Sequence, residues 1–66
     1  MIVWWNGERR EVDDATTVAE LMEARGVPAR GVAVAVDGAV LPRTSWTATP
    51  LAEGIRLEVL TAVQGG

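Results

Sequence analysis

Thr17-Val18-Ala19-Glu20-Leu21-Met22-Glu23-Ala24-Arg25-Gly26-Val27-Pro28 (residues 17–28) decides what kind of domain this chain can be. Thr17 and Glu20 stand at capping-box spacing, so hydroxyl and carboxylate can each satisfy an amide that a helix start leaves unpaired. Val18, Leu21 and Met22 fall at i, i+3 and i+4 and form one apolar stripe. Arg25 sits in the expected last turn, where a cation complements the helix dipole. Gly26 can take the left-handed conformation just past the end, and Pro28 prevents continuation. The spacing predicts one helix of about nine residues that packs by a single face.

Outward from this helix the pattern changes to strands. Ile2-Val3-Trp4-Trp5 is β-branched and aromatic, and Asn6-Gly7 is a strong hairpin signal because both central residues of a type I′ turn need positive φ. Glu8 to Val12 returns as a second strand, polar on both faces except at Val12, which suits a charged sheet edge. On the other side, Val32-Ala33-Val34-Ala35-Val36 alternates large and small, placing the valines toward the helix and the alanines on the opposite, flatter face. Asp37-Gly38 is a second hairpin signal, and Ala39-Val40-Leu41 pairs back until Pro42. Arg43 to Glu53 reads as irregular. Beyond Gly54, Ile55, Leu57 and Val59 share one face while Arg56 and Glu58 share the other, the signature of a half-buried strand. The order strand, strand, helix, strand, strand, strand predicts an α+β layer, a sheet of about five strands with one helix on one face. Periodicity does not say where the last strand inserts.

Composition excludes much of chemistry. The 66 residues contain no Cys, His, Lys, Phe or Tyr. That removes the thiol nucleophile, the imidazole base and ligand, the Schiff-base amine and any disulfide. The nine acids read as a solvated surface. A domain this small has little room for an enclosed active site. The net charge of −3, with six arginines scattered among acids, argues against nucleic acid. No apolar run approaches the roughly 20 residues of a membrane span. Met1 to Asn6 lacks the basic start and long apolar segment of a signal peptide, so a cytoplasmic location is the default expectation.

Two features remain as candidates for function. The sequence closes on Thr61-Ala62-Val63-Gln64-Gly65-Gly66, and two final glycines are improbable by chance at an ordinary glycine usage of about 7%. Fraying at a terminus is the plain alternative. The other feature is tryptophan. Alternation separates Trp4 from Trp5, and counting back from the turn places Val3 and Trp5 in the core and Trp4 on the exposed face near Leu60. Tryptophan is enriched at binding hot spots, which makes Trp4 a candidate for partner contact. Trp46 is expected to pack beneath the irregular segment.

The capped helix, Val34-Ala35-Val36-Asp37-Gly38, Val40-Leu41-Pro42-Arg43-Thr44-Ser45-Trp46, Leu51-Ala52-Glu53-Gly54-Ile55-Arg56-Leu57-Glu58-Val59 and the Gly65-Gly66 ending together resemble the ThiS family of thiamine-pathway sulfur carriers. The resemblance covers essentially the whole chain. One departure is Gly54-Ile55, where relatives often have Gly-Asp. The resemblance implies the β-grasp, ubiquitin-like fold, with the last strand central beside the first. It implies a domain over residues 1–60 and a flexible carrier tail over 61–66. It further implies a protein substrate rather than an enzyme, with no bound cofactor or metal. A ThiF-like adenylyltransferase would use ATP to adenylate the Gly66 carboxylate, and a sulfur donor such as a cysteine desulfurase system would supply the sulfur. The resulting terminal thiocarboxylate would serve a ThiG-like thiazole synthase. Gly66 would bear the reacting carbonyl and Gly65 would fit the partner's channel, since a residue without Cβ can take whatever φ and ψ a narrow site imposes. Trp4, Leu60, Ala62, Val63 and Gln64 are the candidate partner contacts. The competing readings are a molybdopterin-synthase small subunit, a ubiquitin-like modifier and a non-catalytic β-grasp interaction module.

Overall fold

A computed structural model describes residues 1–28 and 30–61. The strands are β1 (Ile2–Trp5), β2 (Glu8–Glu11), β3 (Val32–Val36), β4 (Ala39–Leu41) and β5 (Arg56–Thr61), and the helix α1 spans Val18–Ala24. They form one mixed sheet in the order β2-β1-β5-β3-β4. β1 and β5 run parallel, with Trp4 opposite Arg56 and Trp5 opposite Leu57. The β1–β2, β3–β4 and β3–β5 pairings are antiparallel. The last strand is therefore central beside the first, and the architecture is the β-grasp.

Local chemistry accounts for each boundary. Both hairpins turn through positive φ, at Asn6 (49°) and Gly7 (83°) and at Asp37 (48°) and Gly38 (89°), as type I′ geometry requires. The capping box is formed: the Glu20 amide donates to Thr17 Oγ1 at 3.2 Å and the Thr17 amide to Glu20 Oε1 at 2.8 Å. The helix closes in a Schellman motif, with the Gly26 amide on the Glu23 carbonyl at 3.0 Å and the Val27 amide on the Met22 carbonyl at 2.9 Å. At seven residues, α1 is shorter than the spacing predicted and ends one residue before Arg25. The Arg25 guanidinium instead lies over the Trp5 ring, 4.9 Å from its centroid. A cation over an aromatic face is favoured by the ring quadrupole.

The core is contributed by every element facing the helix. Val3 and Trp5 of β1, Val18, Leu21 and Met22 of α1, Val34 of β3 and Leu57 and Val59 of β5 are buried together with Trp46, Leu51 and Ile55. The assignment of Val3 and Trp5 to the inside holds, as does the burial of Trp46. Ile55, the departure at the turn after Gly54, joins this cluster. It follows a turn in which Gly54 takes φ 80° and the Ile55 amide donates to the Ala52 carbonyl at 3.0 Å.

One segment differs from expectation. Arg43–Ala48, read as irregular, forms a 3-10 helix. It carries a single buried residue, Trp46, whose indole N–H donates to the Leu41 carbonyl at 3.2 Å. A lone anchor leaves no repeating apolar period to detect. The chain then ties back to the start of α1 through Val18 N–H to Thr49 O (2.9 Å) and Leu51 N–H to Thr16 O (2.8 Å).

Candidate functional site

β5 carries the chain from the core toward its last residues, and its outward face is the part of the sheet not covered by α1. Alternation along the strand buries Leu57 and Val59 and exposes Arg56, Glu58 and Leu60. In register beside them on the same face stand Trp4 of β1, Ala33 and Ala35 of β3 and Val40 of β4. Trp4, Leu60 and Val40 are the exposed large hydrophobic residues among those described, at 38%, 66% and 76% exposure.

Trp4 and Leu60 share this face, but they are not neighbours. The parallel register sets Trp4 beside Arg56, whereas Leu60 lies opposite Ala33. The separation of four residues along β5 amounts to roughly 13 Å. Periodicity predicts the face of a residue but not its height along the neighbouring strand, so the expected proximity is corrected. Trp4 lines a shallow depression with Gly7, Arg56, Leu57 and Glu58, while Leu60 lines another with Gly31, Val32, Ala33 and Thr61.

β5 is paired through Thr61, which lies opposite Val32. The remaining candidate residues, Ala62, Val63, Gln64, Gly65 and Gly66, lie outside the described residues. Among the described residues no polar or charged side chain is buried, and no cluster of acids has the arrangement of a metal site. No helix there is long and apolar enough to cross a membrane.

Two side chains act on β5 in a way that turn chemistry alone did not reveal. Asn6 places its amide against Val59, accepting the Val59 N–H at Oδ1 (2.7 Å) and donating Nδ2 to the Val59 carbonyl (3.1 Å). Asp37 accepts the Arg56 N–H at Oδ1 (3.0 Å) at the beginning of the strand. Both residues were read as turn formers. Their second role depends on β5 lying beside both hairpins, which is a fact of topology.

Comparison with known proteins places this geometry in context. The sequence matches the ThiS family over residues 3–66, a span that includes Gly65 and Gly66. The chain belongs to the ThiS family. The sulfur carrier protein ThiS of Thermus thermophilus is 35% identical over 65 residues, covering 98% of this chain and 100% of that protein. The crystal structure of the thiamine biosynthesis protein ThiS from Geobacter metallireducens superposes with a TM-score of 0.86 at 35% identity, covering 100% of both chains. A solution NMR structure of a thiamine biosynthesis protein from the same organism gives 0.82 at 35% identity, over 100% of this chain and 88% of the other. The β-grasp fold and the family are thus reached from sequence, from topology and from solved relatives.

Proposed function

We propose that this chain carries sulfur for thiamine biosynthesis as a terminal thiocarboxylate on Gly66. The observation that carries the reading is the family match through residue 66, reinforced by a relative named as a sulfur carrier and aligned over its full length. An α-carboxyl is ionised at neutral pH and is a poor electrophile. A ThiF-like adenylyltransferase therefore joins it to AMP, releasing pyrophosphate from ATP. A sulfur nucleophile, delivered from a donor such as a cysteine desulfurase system, then displaces AMP. The thiocarboxylate passes its sulfur to a ThiG-like thiazole synthase. The chain acts as the protein substrate, and it has no Cys, His or Lys side chain to perform these steps itself.

The outward sheet face is the surface offered to these partners. Trp4 and Leu60 lie on it, and Ala62, Val63, Gln64 and Gly65 are the further candidate contacts along the sequence. Trp4→Ala is expected to weaken binding to the adenylyltransferase about 30-fold, the size of a hot-spot loss of about 2 kcal/mol. The affinity is measured by calorimetry, with circular dichroism to verify folding. Unchanged affinity would remove Trp4 from the interface.

Growth tests the pathway. Deleting the gene is expected to create a thiamine requirement while molybdoenzyme activity persists. The opposite pattern, thiamine independence with molybdoenzyme activity lost, would assign the chain to molybdopterin synthesis instead.

A further inference from the structure

The geometry points to Asn6 as a positioning residue that fixes the base from which the carrier terminus extends. This inference rests on the sulfur-carrier reading. β1 supports β5 through regular parallel hydrogen bonds, Trp4 N–H to Ile55 O at 2.9 Å and Asn6 N–H to Leu57 O at 2.8 Å. The chain then turns away at Asn6-Gly7 to begin β2, which would leave Val59 with no strand on that side. The Asn6 side chain fills the gap. A primary amide has the donor and acceptor of a peptide group, and here it meets both the N–H and the C=O of Val59, at 2.7 and 3.1 Å. β5 is thereby held on the β1 side two residues beyond Leu57, while β3 holds the other side through Leu60 and Thr61.

The consequence falls on the terminus. Val59 stands seven residues before Gly66. Any residue of β5 that frays must be ordered again when Gly66 enters a partner's site, at a cost of roughly ten-fold in affinity per backbone residue fixed. With Asn6 in place, the ordered base reaches Thr61 before the partner is met. Asn is suited to both tasks, because it tolerates the positive φ of 49° at this turn position and reaches the neighbouring strand.

The test is Asn6→Gly, which keeps the turn's φ and removes the amide, compared with Asp37→Gly in the same background. Asp37 occupies the equivalent turn position and bonds the Arg56 N–H at the far end of β5. Adenylation by the activating enzyme is followed as ATP-dependent pyrophosphate release, with amide exchange followed by NMR. Asn6→Gly is expected to speed exchange at Val59 about ten-fold and to raise KM for the chain about five-fold, less than one fully disordered residue, with kcat within about two-fold. Asp37→Gly is expected to leave KM unchanged. A KM for Asn6→Gly equal to that of the unaltered chain overturns the positioning role, as does an equal rise in both variants, which signals general loosening of the sheet. Failure of the unaltered chain to support pyrophosphate release overturns the carrier reading itself, and this inference with it.

Discussion

Deleting Gly66 alone is expected to reduce sulfur loading by more than about a thousand-fold and to leave the domain's stability unchanged to within about 0.5 kcal/mol. The chemical group is preserved, because Gly65 then presents an identical carboxylate. What changes is position. One residue of extended chain spans about 3.3–3.6 Å, and misplacing a reacting atom by about 1 Å can already cost a hundred-fold. Stability is spared because β5 ends at Thr61 and the buried residues described lie between Val3 and Val59. Loading is measured as thiocarboxylate formed with the activating enzyme, ATP and sulfide, and stability by urea denaturation. Loading at the rate of the full chain would contradict the claim that the partner requires the carboxylate at the position Gly66 gives it.

The second large effect is structural. Leu57→Ala is expected to cost about 2–5 kcal/mol, the range for removing a buried leucine and leaving a cavity. Leu57 is 1% exposed at the middle of the sheet, flanked by Trp5 on β1 and Val36 on β3. Domains of this size rarely hold more than about 3–5 kcal/mol from a single core. The variant should therefore be largely unfolded at 37 °C, visible as a lowered urea midpoint and lost amide dispersion. Leu60→Ala, on the outward face of the same strand, provides the contrast and is expected to change stability by less than about 0.5 kcal/mol. Comparable losses at the two positions would contradict the assignment of faces along β5.

Much of this was legible in the residues, for reasons that differ by element. The Thr17/Glu20 box and Gly26 report local backbone chemistry, so α1 could be placed from sequence with its ends accurate to about two residues. Asn6-Gly7 and Asp37-Gly38 report φ, and the hairpins follow. The central place of β5 is a long-range fact that no local period encodes. It entered through the family resemblance and stands in the observed strand order. Three features depend on that topology and were missed for that reason: Asn6 on Val59, Asp37 on Arg56, and the height of Trp4 along β5. Arg25 over Trp5 joins residues far apart in sequence and had no signal. The candidate site divides the same way. Its glycines are read directly from the sequence, whereas the neighbours of Trp4 and Leu60 on the outward face need the register.

The most direct measurement is the intact mass of the C-terminal peptide after incubation of the full chain with a ThiF-like adenylyltransferase, ATP and a sulfide source. The expected product is heavier by the replacement of one oxygen with sulfur, the change mapping to Gly66 and becoming alkylated by a thiol reagent. A peptide of unchanged mass under conditions where the same enzyme loads the Thermus thermophilus carrier would contradict the assignment.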